Sequence, residues 1–150
     1  MASTWSPPEQ RIRSSRPDGR VLHVLVVEDD ADCAECLAFL LHLGGVAVEI
    51  AADGSDALAS IQASLPDVVL MDIGLPDMDG YQLARSLRAV ATKMPLLIAL
   101  SGYLEDNDPQ RPREEGFDYH FVKPIDPVAL LALLDDYAKS QSETIRVSDA

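Results

Sequence analysis

The run Val68-Val69-Leu70-Met71 stops abruptly at Asp72, and this feature limits most severely what the chain can fold into. Four apolar residues without polar alternation suit a parallel strand covered on both faces, and the acid marks where that strand surfaces. The following residues include the turn formers Gly74, Pro76 and Gly80, and Asp79 with Gln82 three positions later has the pattern of a capping box that opens a helix. The segment therefore reads strand, carboxylate, loop, helix. In an open α/β sheet, ligand chemistry takes place at the carboxyl ends of the strands. A single aspartate at such an end more often caps a turn than reacts, so the weight falls on what the other strands carry there.

Four further segments read as strands. Val21 to Val27 is apolar apart from His23 and runs into Glu28-Asp29-Asp30; Val46 to Ile50 alternates; Leu96 to Leu100 ends in Ser101-Gly102; and Tyr119 to Val122 ends in Lys123-Pro124. Between them lie helical patterns. The first has an N-cap at Asp30, an inward face of Leu37, Leu40 and Leu41 with Cys33 beside them, and an end at Gly44-Gly45. The second follows Asp53-Gly54-Ser55 with Ala57, Leu58, Ile61 and Leu65 inward, and the third carries Leu83, Leu87 and Val90 on one face. The last follows the cap pair Asp126-Pro127 with Leu130, Leu134 and Tyr137 along one face. The segment from Glu105 to Gly116 stands in the place of a fourth helix but contains Pro109 and Pro112, which predicts a short, late-starting one. Five strands alternating with five helical segments predict a parallel sheet with helices on both faces.

At 150 residues the chain has the length of one domain, expected over 21–139, with disordered tails at 1–20 and 140–150 where apolar periodicity is missing. The formal net charge is −13, although Arg11, Arg13, Arg16 and Arg20 outnumber Glu9 and Asp18 in the first twenty residues. Such a balance opposes contact with nucleic-acid phosphates or anionic membrane surfaces. No apolar run approaches the ~20 residues of a membrane span, and the N-terminus lacks the apolar stretch of a secretion signal, so the expected location is cytoplasmic. Cys33 and Cys36 form C-x-x-C, but they fall inside a helical pattern without a second cysteine pair, and a zinc or redox role is not expected of them.

In a parallel sheet, Glu28, Asp29, Asp72, Ser101 and Lys123 all converge on one edge. Three carboxylates in one pocket repel each other, and without a cation at least one has its pKa pushed up. A hard divalent ion answers that conflict, and carboxylate oxygens suit Mg²⁺. Lys123 then offers a point charge and Ser101 a hydroxyl to an anion arriving beside the metal, an arrangement suited to a phosphoryl group.

At these residues the chain resembles the receiver domain of two-component response regulators, over approximately Leu22 to Tyr137. The resemblance is carried by Glu28-Asp29 after Val26-Val27, by Met71-Asp72 through Leu75-Pro76 to Met78-Asp79-Gly80, by Leu100-Ser101-Gly102 and by Val122-Lys123-Pro124. It implies a flavodoxin-like doubly wound sheet of order 2-1-3-4-5. It implies that Asp72 accepts a phosphoryl group from a phosphohistidine on a histidine kinase or histidine phosphotransfer protein, as one step of a phosphorelay. Glu28, Asp29 and Asp72 would hold Mg²⁺ with the carbonyl of Gly74, and Lys123 would pair with the phosphoryl oxygens. Glu28 stands where the family more often has aspartate, and its longer arm leaves action through water as the alternative to direct ligation. The Lys123–Pro124 bond would be cis, and Ser101 with His120, in place of the usual tyrosine or phenylalanine, would form the switch pair. Gly74 and Tyr103 occupy positions that tune water access, and they imply slow self-dephosphorylation; enzymatic turnover of a separate substrate is not expected.

The output is expected through a downstream protein effector or a domain outside this sequence. Two other readings compete. An aspartyl phosphatase needs a second acid two residues beyond the nucleophile, and that residue here is Gly74. A phosphorylation-independent, receiver-like interaction module has no physical reason to keep like charges packed together at Asp29 and Asp72.

Overall fold

The structure, a computed structural model, describes residues 3–4, 21–102 and 110–149. In chain order the elements are β1 (Ser3–Thr4), β2 (His23–Val27), α1 (Ala31–Leu43), β3 (Ala47–Ala51), α2 (Gly54–Ala63), β4 (Val68–Asp72), α3 (Gly80–Val90), β5 (Leu96–Ser101), α4 (Arg111–Glu114), β6 (Tyr119–Val122) and α5 (Pro127–Asp149). They form one sheet of order β1-β3-β2-β4-β5-β6. The five longer strands are mutually parallel in the order 2-1-3-4-5 that the resemblance implies.

Alternation along these strands divides the core in two. Val24, Val26, Leu70, Ile98 and Leu100 pack with Leu41 of α1 and with Leu130 and Leu134 of α5. Leu25, Val27, Val69, Met71, Leu97 and Ala99 pack with Ile61 of α2 and with Leu83 and Leu87 of α3. Every residue of β4 is buried, as a run covered on both faces requires. Fully burying one such Leu or Val stabilises the fold by about 2 kcal/mol.

The helix starts follow the sequence closely. Asp30 accepts from the amides of Asp32 and Cys33, Asp53 accepts from Asp56, and Asp79 with Gln82 forms the complete capping box. Pro112 is buried in α4, which lasts only from Arg111 to Glu114, the short and late helix that the prolines predict. The α1 face matches the expected one at Leu37, Leu41 and the partly buried Leu40, and departs from it at Cys33. Its buried residues are Ala34, Leu37, Ala38 and Leu41, while Cys33 and Cys36 are exposed. The alanines complete the i, i+3, i+4, i+7 stripe, and Cys33 lies to one side of it. Val90 and Leu65, expected to face inward, are exposed at or beyond helix ends.

Two elements of the structure reach into the stretches expected as tails. Ser3 and Thr4 pair antiparallel with Ile50 and Glu49, which extends the sheet by one short strand. The rest of the 1–20 tail lies outside the described residues. At the other end, α5 continues past Lys139 to Asp149; no Gly or Pro occurs from Val128 onward to stop it, and Lys139 pairs with Asp135 one turn back at 3.0 Å.

Candidate functional site

Strand register brings the site together. Val27 lies beside Met71, so the next residues, Glu28 and Asp72, leave the sheet at one level. Asp72 lies beside Leu100, Ser101 beside Val122, and the Lys123 amide donates to the Ser101 carbonyl at 2.8 Å. Three neighbouring strands thus deliver an acid, a hydroxyl and an ammonium to one rim from positions far apart in sequence. The Lys123–Pro124 bond is cis, as the resemblance implies.

Lys123 is central to the arrangement. Its Nζ lies 3.0 Å from Glu28 Oε2 and 3.0 Å from Asp72 Oδ2, so one ammonium bridges two buried carboxylates. The other oxygen of Asp72 accepts from the Gly74 amide at 2.9 Å. Asp29 is exposed, and oxygens of Glu28, Asp29 and Asp72 all lie within 4.8 Å of one another. Among the described residues this is the one group of three side chains suited to a metal ion, and neither cysteine belongs to it.

The charge balance leaves a mark. Burial first, and then Asp72, push the Glu28 carboxyl up to about 7 despite the nearby ammonium. Burial pulls the Lys123 ammonium down, but its bonds to Glu28 and Asp72 outweigh this, and its pKa lies above the ordinary lysine value. One lysine is insufficient for three acids. The sequence predicted this conflict, and it is the observation that makes a divalent cation fit: three hard oxygen donors converge with less positive charge than they require. Glu28, Asp29 and Asp72 could hold such an ion. The Gly74 residue adjoins them through its amide.

Ser101 is buried, and its hydroxyl lies 2.5 Å from His120 Nε2, so the two members of the expected switch pair are in direct contact. Tyr103 falls outside the described residues. Asp77, which sequence reasoning passed over, sits in the loop after Asp72 and accepts from the amides of Gly54 and Ser55 at 2.9 and 3.0 Å and from the Ser55 hydroxyl at 3.0 Å. Its partners lie 22 and 23 positions away, so no local pattern announces them. The only available sign was a second acid in the Leu75-Pro76-Asp77-Met78-Asp79 turn.

Gly80 shows how tightly the loop folds against the strand. A Cβ there would lie 2.9 Å from the Ile73 Cα and 3.1 Å from the Asp72 carbonyl, both backbone atoms that cannot swing aside. The Gly80 amide closes the loop on the Ile73 carbonyl at 2.8 Å.

Comparison with known proteins gives a consistent picture. The family model for the response regulator receiver domain matches residues 24–135. An uncharacterised protein of Leptolyngbya boryana is 33% identical over 117 residues, covering 77% of this chain and 89% of that protein. The transcriptional regulatory protein PrrA of Mycobacterium tuberculosis is 36% identical over 131 residues, which span 83% of this chain but only 56% of that regulator. A solved receiver domain from Methylobacillus flagellatus, described as CheY-like, superposes with a TM-score of 0.71 at 32% identity, over 78% of this chain and 98% of that one.

Proposed function

The chain belongs to the response regulator receiver family, a family of two-component signalling, and on that premise we propose that it is a phospho-accepting switch with Asp72 as the acceptor. The observation that carries this reading is the bridge from Lys123 to Asp72 and Glu28 at the rim where Ser101 also lies. A carboxylate oxygen of Asp72 attacks the phosphorus of a phosphohistidine on a histidine kinase or histidine phosphotransfer protein. The new bond is O–P, the bond that breaks is N–P, and the electron pair returns to the imidazole nitrogen, which takes a proton.

The chain's own groups divide the work. Lys123 moves its ammonium from the carboxylates to the phosphoryl oxygens, supplying positive charge where negative charge develops. Ser101 turns its hydroxyl toward the same oxygens and gives up its bond to His120, and the freed ring reports the event on the surface beside β6. Glu28, Asp29 and Asp72 would hold Mg²⁺, with the Gly74 carbonyl as a further ligand. Bound there, the ion offsets the crowded negative charge of the acids and of the incoming group.

The output is a change of protein–protein contact with a downstream effector. A net charge of −13 argues against nucleic acid as the direct target, and no helix among the described residues is long and apolar enough to cross a membrane. We place the domain in the cytoplasm, where histidine phosphodonors operate. Gly74 offers no side chain to orient water, which favours slow self-dephosphorylation and no turnover of a separate substrate.

The test is direct. Incubation with a small acyl phosphate donor and Mg²⁺ should add the mass of one phosphoryl group, and Asp72→Asn should abolish the gain. An unmodified wild type would instead favour a phosphorylation-independent interaction module, and an acyl phosphate lifetime of seconds at neutral pH would contradict the slow decay.

A further inference from the structure

We infer that Asp77 is a positioning residue for phosphoryl acceptance, holding the Asp72 loop in its working shape by fastening it to the start of α2. The inference rests on the function proposed above. Seven residues, Ile73 to Asp79, connect the end of β4 to α3 and form the rim beside Asp72. The two ends of this loop are fixed by local bonds. Gly74 donates to the Asp72 carboxylate, Gly80 donates to the Ile73 carbonyl, and Asp79 caps α3.

The middle of the loop is tied to a neighbouring element, and Asp77 makes that tie. Its two oxygens accept from the Gly54 amide, the Ser55 amide and the Ser55 hydroxyl. These are the first two amides of α2, which no intrahelical carbonyl can satisfy. The helix has its own cap in Asp53, which serves the Asp56 amide and leaves Gly54 and Ser55 for Asp77. The next loop residue makes a second, independent contact: Met78 lies so close to Gly54 that a Cβ there would meet its Cγ at 2.5 Å. Two consecutive loop residues are thus held against one turn of a helix that is itself fixed by the buried Ala57 and Ile61. The backbone amides hold the Asp77 carboxyl below the usual carboxylate range, that of Gly54 first, so the bonds persist across neutral pH.

Asp77 is exposed, and its carboxylate bonds to Gly54 and Ser55 of α2 rather than to Asp72, Lys123 or Ser101. It acts through the loop. Released from α2, the Ile73–Asp79 segment can shift by a fraction of an ångström, and the Gly74 amide that orients Asp72 shifts with it. Displacements of this size at a reacting group are costly to rate although they cost little stability.

The experiment compares phosphorylation by a small acyl phosphate donor, measured as rate against donor concentration with saturating Mg²⁺. Asp77→Ala should lower the maximal rate by about tenfold with the half-saturating concentration unchanged. Asp77→Asn keeps an acceptor oxygen for the α2 amides and should recover to within about threefold of wild type. Asp53→Ala weakens the same helix start without touching the loop and should leave the rate unchanged, so it separates positioning from mere helix capping. An unaltered rate in Asp77→Ala, or an equal loss in Asp53→Ala, overturns the assignment. Should Asp77→Ala fail to fold in a thermal melt, Ser55→Ala deletes one of the three bonds; a slowing of about twofold is then expected, and none refutes it. A wild type that accepts no phosphoryl group overturns the proposed function itself, an outcome distinct from normal labelling in all the Asp77 variants.

Discussion

Glu28 offers the sharpest quantitative test of the charge balance in the pocket. Its folded pKa, about 7, stands above the 4.5 of a free glutamate, so the metal-free folded state binds this proton more tightly than the unfolded chain does. The stabilisation from this group is therefore complete below pH 4.5 and is lost as pH rises through 7. Between pH 5.5 and pH 8 the loss amounts to roughly 2 kcal/mol by linkage from one such group. Urea unfolding with EDTA present, at several pH values over this range, measures it. Subtracting the same series for Glu28→Gln removes the titration of every other group. The advantage of wild type over the variant should fall by that amount from the acid to the alkaline end. Added Mg²⁺ competes with the proton, so the apparent affinity should weaken by up to about tenfold for each pH unit below 7. A difference that stays flat or grows with pH, or a Mg²⁺ affinity indifferent to pH between 5.5 and 7, would refute the argument that the three acids share too little positive charge.

Three other outcomes follow from particular contacts. Lys123→Ala leaves two buried carboxylates without their cation and should lower metal-free stability at pH 8 by about 2 kcal/mol, with part of the loss restored by Mg²⁺; unchanged urea midpoints would contradict the bridge. Gly80→Ala forces a methyl group against backbone atoms of Ile73 and Asp72 and should cost about 2 kcal/mol in the same assay, whereas an ordinary helix-start glycine would gain from alanine. Ser101→Ala removes the hydrogen-bond partner of His120 and should move the His120 ring ¹⁵N resonances while leaving His23 and His42 where they are; an unmoved His120 would deny the contact.

What the sequence discloses here is what local patterns can encode. Unbroken apolar runs reveal strands that are covered twice, and the polar residue ending each run reveals the rim, because the strands are parallel and their ends coincide. Asp30, Asp79 and Asp126 were legible as caps, since each bonds to amides within three residues of itself. The site residues Glu28, Asp29, Asp72, Ser101 and Lys123 are brought to a common rim for the same reason. Distance in sequence conceals the rest. The Asp77 tie to α2 has no periodicity to betray it, and β1 is only two residues, Ser3 and Thr4, too short to show a pattern. On α1 the large residues Leu37 and Leu41 mark the buried face and Leu40 flanks it, whereas Cys33 stays exposed and the small Ala34 and Ala38, which carry little apolar signal, are buried against the sheet. Similarly, α4 keeps its place through contacts beyond its own turn: Arg85 of α3 reaches Glu115 at 2.8 Å, and Arg111 stacks on the Tyr81 ring at 4.2 Å.

The two-sided core carries a consequence for how this protein tolerates change. Leu134 belongs to the layer toward α1 and α5, and Leu87 to the layer toward α2 and α3, with the sheet between them. Neither layer needs the other for shape complementarity. The penalties of Leu134→Ala and Leu87→Ala should therefore sum in the double variant to within about 0.5 kcal/mol. Drift on one side can proceed without repair on the other, so a lineage could remodel the surface around α5 for a new listener while the packing beneath α3 stays as it was.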